Sequence, residues 1–202
     1  MSEIDKKAID KTESDSVTNK VISRRDVLKA GVLGLAGTVI APGAANATRL
    51  ALPDMGAFDI SFRNLHTGDM FRGTYRVGNK YLPDAFDEIN YVLRDFRVGE
   101  DFPMDPRTID ILYLISQKAE TNWPFEILSA YRSPKTNAML QRASDGVADN
   151  SLHMTGQAMD IRMPGFSTRR LRDVAQSLRA GGVGYYPNSN FVHIDTGKRR
   201  YW

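Results

Sequence analysis

The chain contains no cysteine among its 202 residues. That removes disulfides, a thiolate nucleophile and any zinc-thiolate site together, so a metal here has to be held by histidine and carboxylate. Histidine is also scarce, with only three in the chain. Long apolar runs are missing. The longest apolar stretch, Ala30 to Ala41, has twelve residues of which three are glycine, short of the roughly 20 needed to cross a bilayer. No stable membrane span is therefore expected. Basic residues outnumber acidic ones only slightly, for a formal charge of +3, and they are scattered instead of clustered. That argues against nucleic acid as a partner.

What is present is ordinary globular composition, 42% hydrophobic and 25% charged, in a chain sized for one domain and an appendage. The appendage is N-terminal. Residues 1 to 22 are polar, and Ser23-Arg24-Arg25-Asp26-Val27-Leu28-Lys29 leads into the Gly-rich apolar stretch. Ala45-Asn46-Ala47 then supplies a small-x-small cleavage pattern, the layout of a signal peptide. Paired arginines before a weakly apolar segment resemble the twin-arginine export signal, with Val27 where that pattern usually has Phe. The expected organisation is a signal peptide over 1–47 and a catalytic domain over 48–202, exported through the twin-arginine machinery to a periplasm.

In the mature chain, Phe58 to Val77 alternates apolar and polar residues around His66-Thr67-Gly68-Asp69 and reads as a β-hairpin. Helices are expected over Leu82 to Phe96, Pro106 to Glu120, Lys135 to Ala143 and Thr168 to Ala180, the last stopped by Gly181-Gly182. Strands are expected over Phe125 to Ser129, Ala158 to Arg162, Val183 to Tyr186 and Phe191 to Asp195. This mixed order gives an α+β domain.

Two of the three histidines lie beside aspartates, in Ser151-Leu152-His153-Met154-Thr155-Gly156-Gln157-Ala158-Met159-Asp160 and Phe191-Val192-His193-Ile194-Asp195. Two imidazoles and one carboxylate form a catalytic zinc set that leaves a fourth position for water. Gly156 permits a tight turn between the first two candidates, and Asp160 is placed at the start of a strand. The period of two puts His193 and Asp195 on one strand face and Val192 and Ile194 on the other. Asp195 is thus either the general base or a group that orients His193 through its second ring nitrogen.

The pattern S-x-H-x-x-G-x-A-x-D with a late H-x-D resembles the zinc peptidases of the lysostaphin, D-Ala-D-Ala peptidase and sonic hedgehog group. Asn64-Leu65-His66-Thr67-Gly68, Tyr131-Arg132-Ser133, Gly181-Gly182-Val183-Gly184-Tyr185-Tyr186-Pro187 and Phe191-Val192-His193-Ile194-Asp195-Thr196-Gly197 narrow this to a likeness with the twin-arginine-exported murein endopeptidase K family, over residues 23 to 202. The resemblance implies Zn2+ held by His153, Asp160 and His193, a hedgehog/DD-peptidase-like domain with a central antiparallel sheet flanked by helices, and peptidoglycan peptide cross-links as substrate. It also implies that Arg132 binds substrate or stabilises the oxyanion. Relatives in the wider group often carry Glu three residues before the last histidine ligand, where this chain has Asn190. Tyr186 is taken as a substrate-binding residue, while Tyr185 and Trp202 read equally as groove or core. His66 reads as a hydrogen-bonding turn residue. A D-Ala-D-Ala carboxypeptidase and a non-catalytic zinc-containing peptidoglycan-binding module are the alternatives.

Overall fold

A computed structural model of the chain describes residues 52–143 and 146–202; the expected signal peptide and its cleavage site lie outside the described residues. The first hairpin forms as the alternation predicts. Strands β1 (Ala57–Asn64) and β2 (Met70–Val77) pair antiparallel with a bulge at Phe58/Asp59, and every second residue of β1, from Phe58 to Asn64, is buried. A two-residue strand β3 (Lys80–Tyr81) extends this edge.

Helix α1 (Pro83–Val92) starts with Pro83 in its first turn, where the missing N–H costs nothing. It stops short of the expected Phe96. Asp95, 1% exposed, turns its carboxylate onto the backbone N–H groups of Arg97 and Ser133 and onto the Ser133 hydroxyl, and this local side-chain bonding replaces another helical turn. Helix α2 (Pro106–Lys118) is capped by the Asp105 side chain and buries Ile109, Leu112 and Ile115 as a stripe. Strand β4 (Phe125–Ser129), helix α3 (Pro134–Ala143), strand β5 (Ala158–Arg162) and helix α4 (Thr168–Leu178) follow, then strands β6 (Gly182–Tyr186), β7 (Phe191–Asp195) and β8 (Arg200–Tyr201). The fold is α+β.

The eight strands form one sheet in the order β3-β2-β1-β4-β5-β7-β6-β8. It is mixed: β1 with β4 and β6 with β8 are parallel, so the antiparallel expectation holds only for part of it. The run β4-β5-β7-β6 is antiparallel throughout. Its apolar face, carrying Ile127, Met159, Ile161, Val192 and Ile194, packs into the common core with α2 and α4 residues such as Ile115 and Leu171. The opposite face of this run is left for polar side chains. No helix among the described residues is long and apolar enough to cross a membrane.

Candidate metal centre

Strand register assembles the site. Ser129 on β4 pairs with Asp160 on β5, Asp160 with His193 on β7, and His193 with Gly184 on β6, so these four positions form a row across the sheet. Asp160 sits at the middle of its strand instead of its start. His153 reaches the row from a 3-10 turn, Leu152–Thr155, whose Ser151 side chain accepts a hydrogen bond from the His153 N–H. Gly156 closes the turn at φ 66°, and a Cβ there would lie 2.5 Å from the Pro103 carbonyl oxygen. Only glycine meets both demands.

Three atoms converge where the row meets the turn. His193 Nδ1 is 2.9 Å from Asp160 Oδ1 and 3.3 Å from His153 Nε2, and His153 Nε2 is 3.4 Å from Asp160 Oδ1. The outer nitrogens fix the tautomers. His153 Nδ1 donates to the Ala130 carbonyl at 2.7 Å, and His193 Nε2 donates to Asp195 Oδ2 at 3.1 Å, leaving a lone pair on each inner nitrogen. With both imidazoles neutral, two ring lone pairs and a carboxylate oxygen face one another, an arrangement suited to a cation. Ligands at about 2.0–2.2 Å around a tetrahedral zinc are roughly 3.3–3.6 Å apart; two of the three separations match, and the 2.9 Å pair of His193 and Asp160 is shorter by a few tenths of an ångström.

Electrostatics agree. Burial opposes the charge on Asp160, but the two imidazoles beside it, His153 foremost, outweigh that and hold the carboxyl well below the usual carboxylate range. Burial likewise opposes protonation of His193, yet its hydrogen bonds to Asp160 and Asp195 raise it to about 9.

Asp195 is fully buried. Its Oδ1 accepts from the N–H groups of Gly182 and Gly197 and from Arg200 Nη1, and its Oδ2 accepts from His193 Nε2 and Arg200 Nη2. Burial works to raise this carboxyl, but these donors hold it lowered. Gly181 and Gly182, expected to stop α4, serve Asp195 instead: a Cβ at Gly181 would meet the Asp195 carbonyl oxygen at 1.8 Å, and one at Gly182 would meet Oδ2 at 2.4 Å. Helix α4 ends through Arg179 in the left-handed region at φ 53°.

A cavity of about 630 Å³ opens over the cluster, walled by Arg132, Leu152, Tyr186, Phe191 and Trp202. Arg132 Nη2 lies 4.0 Å from Asp160 Oδ2, and the guanidinium also reaches Asn137 and Ser129. The main-chain N–H of Arg132 donates to the carbonyl of His153. Burial lowers the Arg132 pKa more than the Asp160 charge raises it. Asp160 is the only acidic side chain lining the cavity among the described residues. Asn190 stands outside it, at φ 52° in the β6–β7 turn with its side chain bonded to Thr168, so no acid three residues before His193 reaches this cluster along that path. His66 stacks on Phe96 at 3.8 Å and bonds to the Leu128 carbonyl, as a structural turn residue would. Trp202, equally groove or core by sequence, lines the cavity beside Gly184, for which the sequence carries no signal of a role. The indole lies over Gly184, 5.3 Å from the His193 ring.

The family model of the peptidoglycan L,D-endopeptidase MepK matches residues 55–202. The chain is 41% identical over 180 residues to the peptidoglycan L,D-endopeptidase MepK of Escherichia coli (strain K12), an alignment covering 89% of this chain and 97% of that protein. It is 40% identical over 144 residues to the probable peptidoglycan L,D-endopeptidase MepK of Haemophilus influenzae, covering 71% and 77%.

Proposed function

The chain belongs to the peptidoglycan L,D-endopeptidase MepK family, and from that premise we propose that it is a zinc-dependent enzyme, exported from the cytoplasm, that hydrolyses L,D peptide bonds in the cross-links of peptidoglycan. The observation that carries the metal assignment is the meeting of His153 Nε2, His193 Nδ1 and Asp160 Oδ1, with the outer ring nitrogens committed to Ala130 and Asp195. Zinc is the ion this set favours, because two imidazoles and one carboxylate with an open position are a familiar catalytic zinc shell. A hedgehog/DD-peptidase-like fold is the architecture we assign, supported by ligands carried on neighbouring antiparallel strands.

When bound, zinc would supply a Lewis acid that acidifies water and polarises a peptide carbonyl. The residues of the chain do the rest. His153 and His193 are held in the correct tautomers by Ala130 and Asp195. Arg132 is assigned to hold the substrate and to stabilise the oxyanion of the tetrahedral intermediate, supported by its place on the cavity wall beside Asp160. Tyr186 is assigned to the substrate-binding wall on the opposite side. Asp195 is the orienter of His193 and not the base, a role supported by its complete burial and its five donors.

The test uses purified cross-linked muropeptide dimers. Zinc-loaded protein should convert them to monomers and chelated protein should not. Free D-alanine accumulating beside intact dimers would make the enzyme a carboxypeptidase. Neither product at full zinc occupancy would make it a binding module.

A further inference from the structure

Strand β6 places Gly184 and Tyr186 on the same face as His193 and Phe191 of β7. Gly184 leaves an empty seat in the row, and the Trp202 indole fills it: a Cβ at 184 would lie 2.6 Å from the indole Cε2. The main chain fixes the indole there, since Trp202 N–H donates to the Val183 carbonyl and the Tyr185 N–H donates to the Trp202 carbonyl. From this seat Trp202 Nε1 donates to Tyr186 Oη at 2.8 Å. Tyr186 in turn stacks on Phe191, with ring centroids 4.5 Å apart and planes 16° from parallel.

The consequence concerns a single hydrogen. Indole N–H is a donor only, so Tyr186 Oη accepts this bond and must direct its own O–H elsewhere. Among the described residues that O–H has no acceptor, although the ring is clamped on two sides and lines the cavity over His153, Asp160 and His193. Accepting a hydrogen bond also polarises a hydroxyl and strengthens it as a donor. Arg132 lines that cavity from the β4 side and Tyr186 from the β6 side, so a carbonyl seated between them meets donors on both flanks.

We propose that Tyr186 is a second oxyanion donor, its O–H aimed at the scissile carbonyl by the Trp202 indole seated on Gly184. Tyr186 touches the reacting group and keeps its proton. Trp202 is a positioning residue acting through it. This rests on the peptidase reading above.

The experiment is a double-mutant cycle on the zinc-loaded chain with cross-linked muropeptide dimers, zinc content being measured for each variant. Tyr186→Phe keeps the ring and its stacking but loses the hydroxyl. It should lower kcat by about 10²-fold, the usual loss for one oxyanion donor, with KM little changed. Trp202→Phe removes the indole N–H and should lower kcat by about 10-fold alone and not at all in the Tyr186→Phe background. Binding of a phosphinate mimic of the tetrahedral intermediate should weaken in parallel with kcat. If Tyr186→Phe keeps kcat within about twofold, or if the Trp202→Phe factor persists without the hydroxyl, the inference falls and the peptidase assignment stands. If the unmodified zinc-loaded chain leaves dimers intact, both fall.

Discussion

Asp195 is where a one-dimensional reading of the strand and the folded site part company. The period of two correctly puts its side chain on the same face as His193, and from that alone either a base or an orienter follows. Burial favours the orienter: a group with no exposure and five donors is poorly placed to take a proton from water in the cavity. Asp195→Asn should therefore weaken zinc affinity by about 10- to 100-fold, measured by competition with a chromogenic chelator, and turnover should recover when zinc is raised to saturation. Turnover still lost at full occupancy would return the base role to Asp195. His153→Ala, Asp160→Ala and His193→Ala each remove a donor atom instead of its support, so metal analysis should find each variant empty at zinc concentrations that fill the parent. These residue types and their spacing were legible because a metal site without thiolates has few choices of donor. The Ala130 carbonyl that sets the His153 tautomer was not, since a backbone acceptor has no signature in sequence and is supplied by the end of β4.

The elements were readable wherever side-chain period or turn chemistry governs them. Strands β4, β5 and β7 fall on the expected residues, and α2 buries the expected stripe. Misses occur where tertiary contact overrides local preference. Asp95 ends α1 early, and Gly181 and Gly182 give room to β7 while Arg179 bears the left-handed turn. Strands β3 and β8 are two residues long, too short for any period. The Gly184 seat is the clearest case, because its occupant is eighteen positions away along the chain. Gly184→Ala should crowd the indole off the row, destabilising the domain by about 1–3 kcal/mol as overpacking does and exposing further a Trp202 that is already 48% exposed. In a Trp123→Phe background, which leaves Trp202 as the only tryptophan, the emission maximum should shift to the red. An unshifted maximum with unchanged stability would mean that the indole does not need the seat.

For the molecule as a whole, the order of folding, metal loading and export is the remaining question. The three metal-directed atoms come from a turn and two strands, 40 residues apart at the extremes, so the site exists only once the sheet has formed. A chain threaded unfolded through a membrane would arrive with its ligands dispersed. The resemblance of Ser23-Arg24-Arg25-Asp26-Val27-Leu28 to a twin-arginine signal offers the other route, since that machinery carries folded cargo and permits zinc to be loaded beforehand. Lysine preserves both charges but not the planar guanidinium fork, which makes Arg24→Lys with Arg25→Lys a test of recognition instead of charge. The double variant should fold and bind zinc normally and yet accumulate uncleaved in the cytoplasm, as read by cell fractionation with immunoblotting of precursor and mature forms. Its appearance at the usual level in the periplasm would remove the twin-arginine assignment, while the metal centre, built entirely from residues after 150, would be untouched.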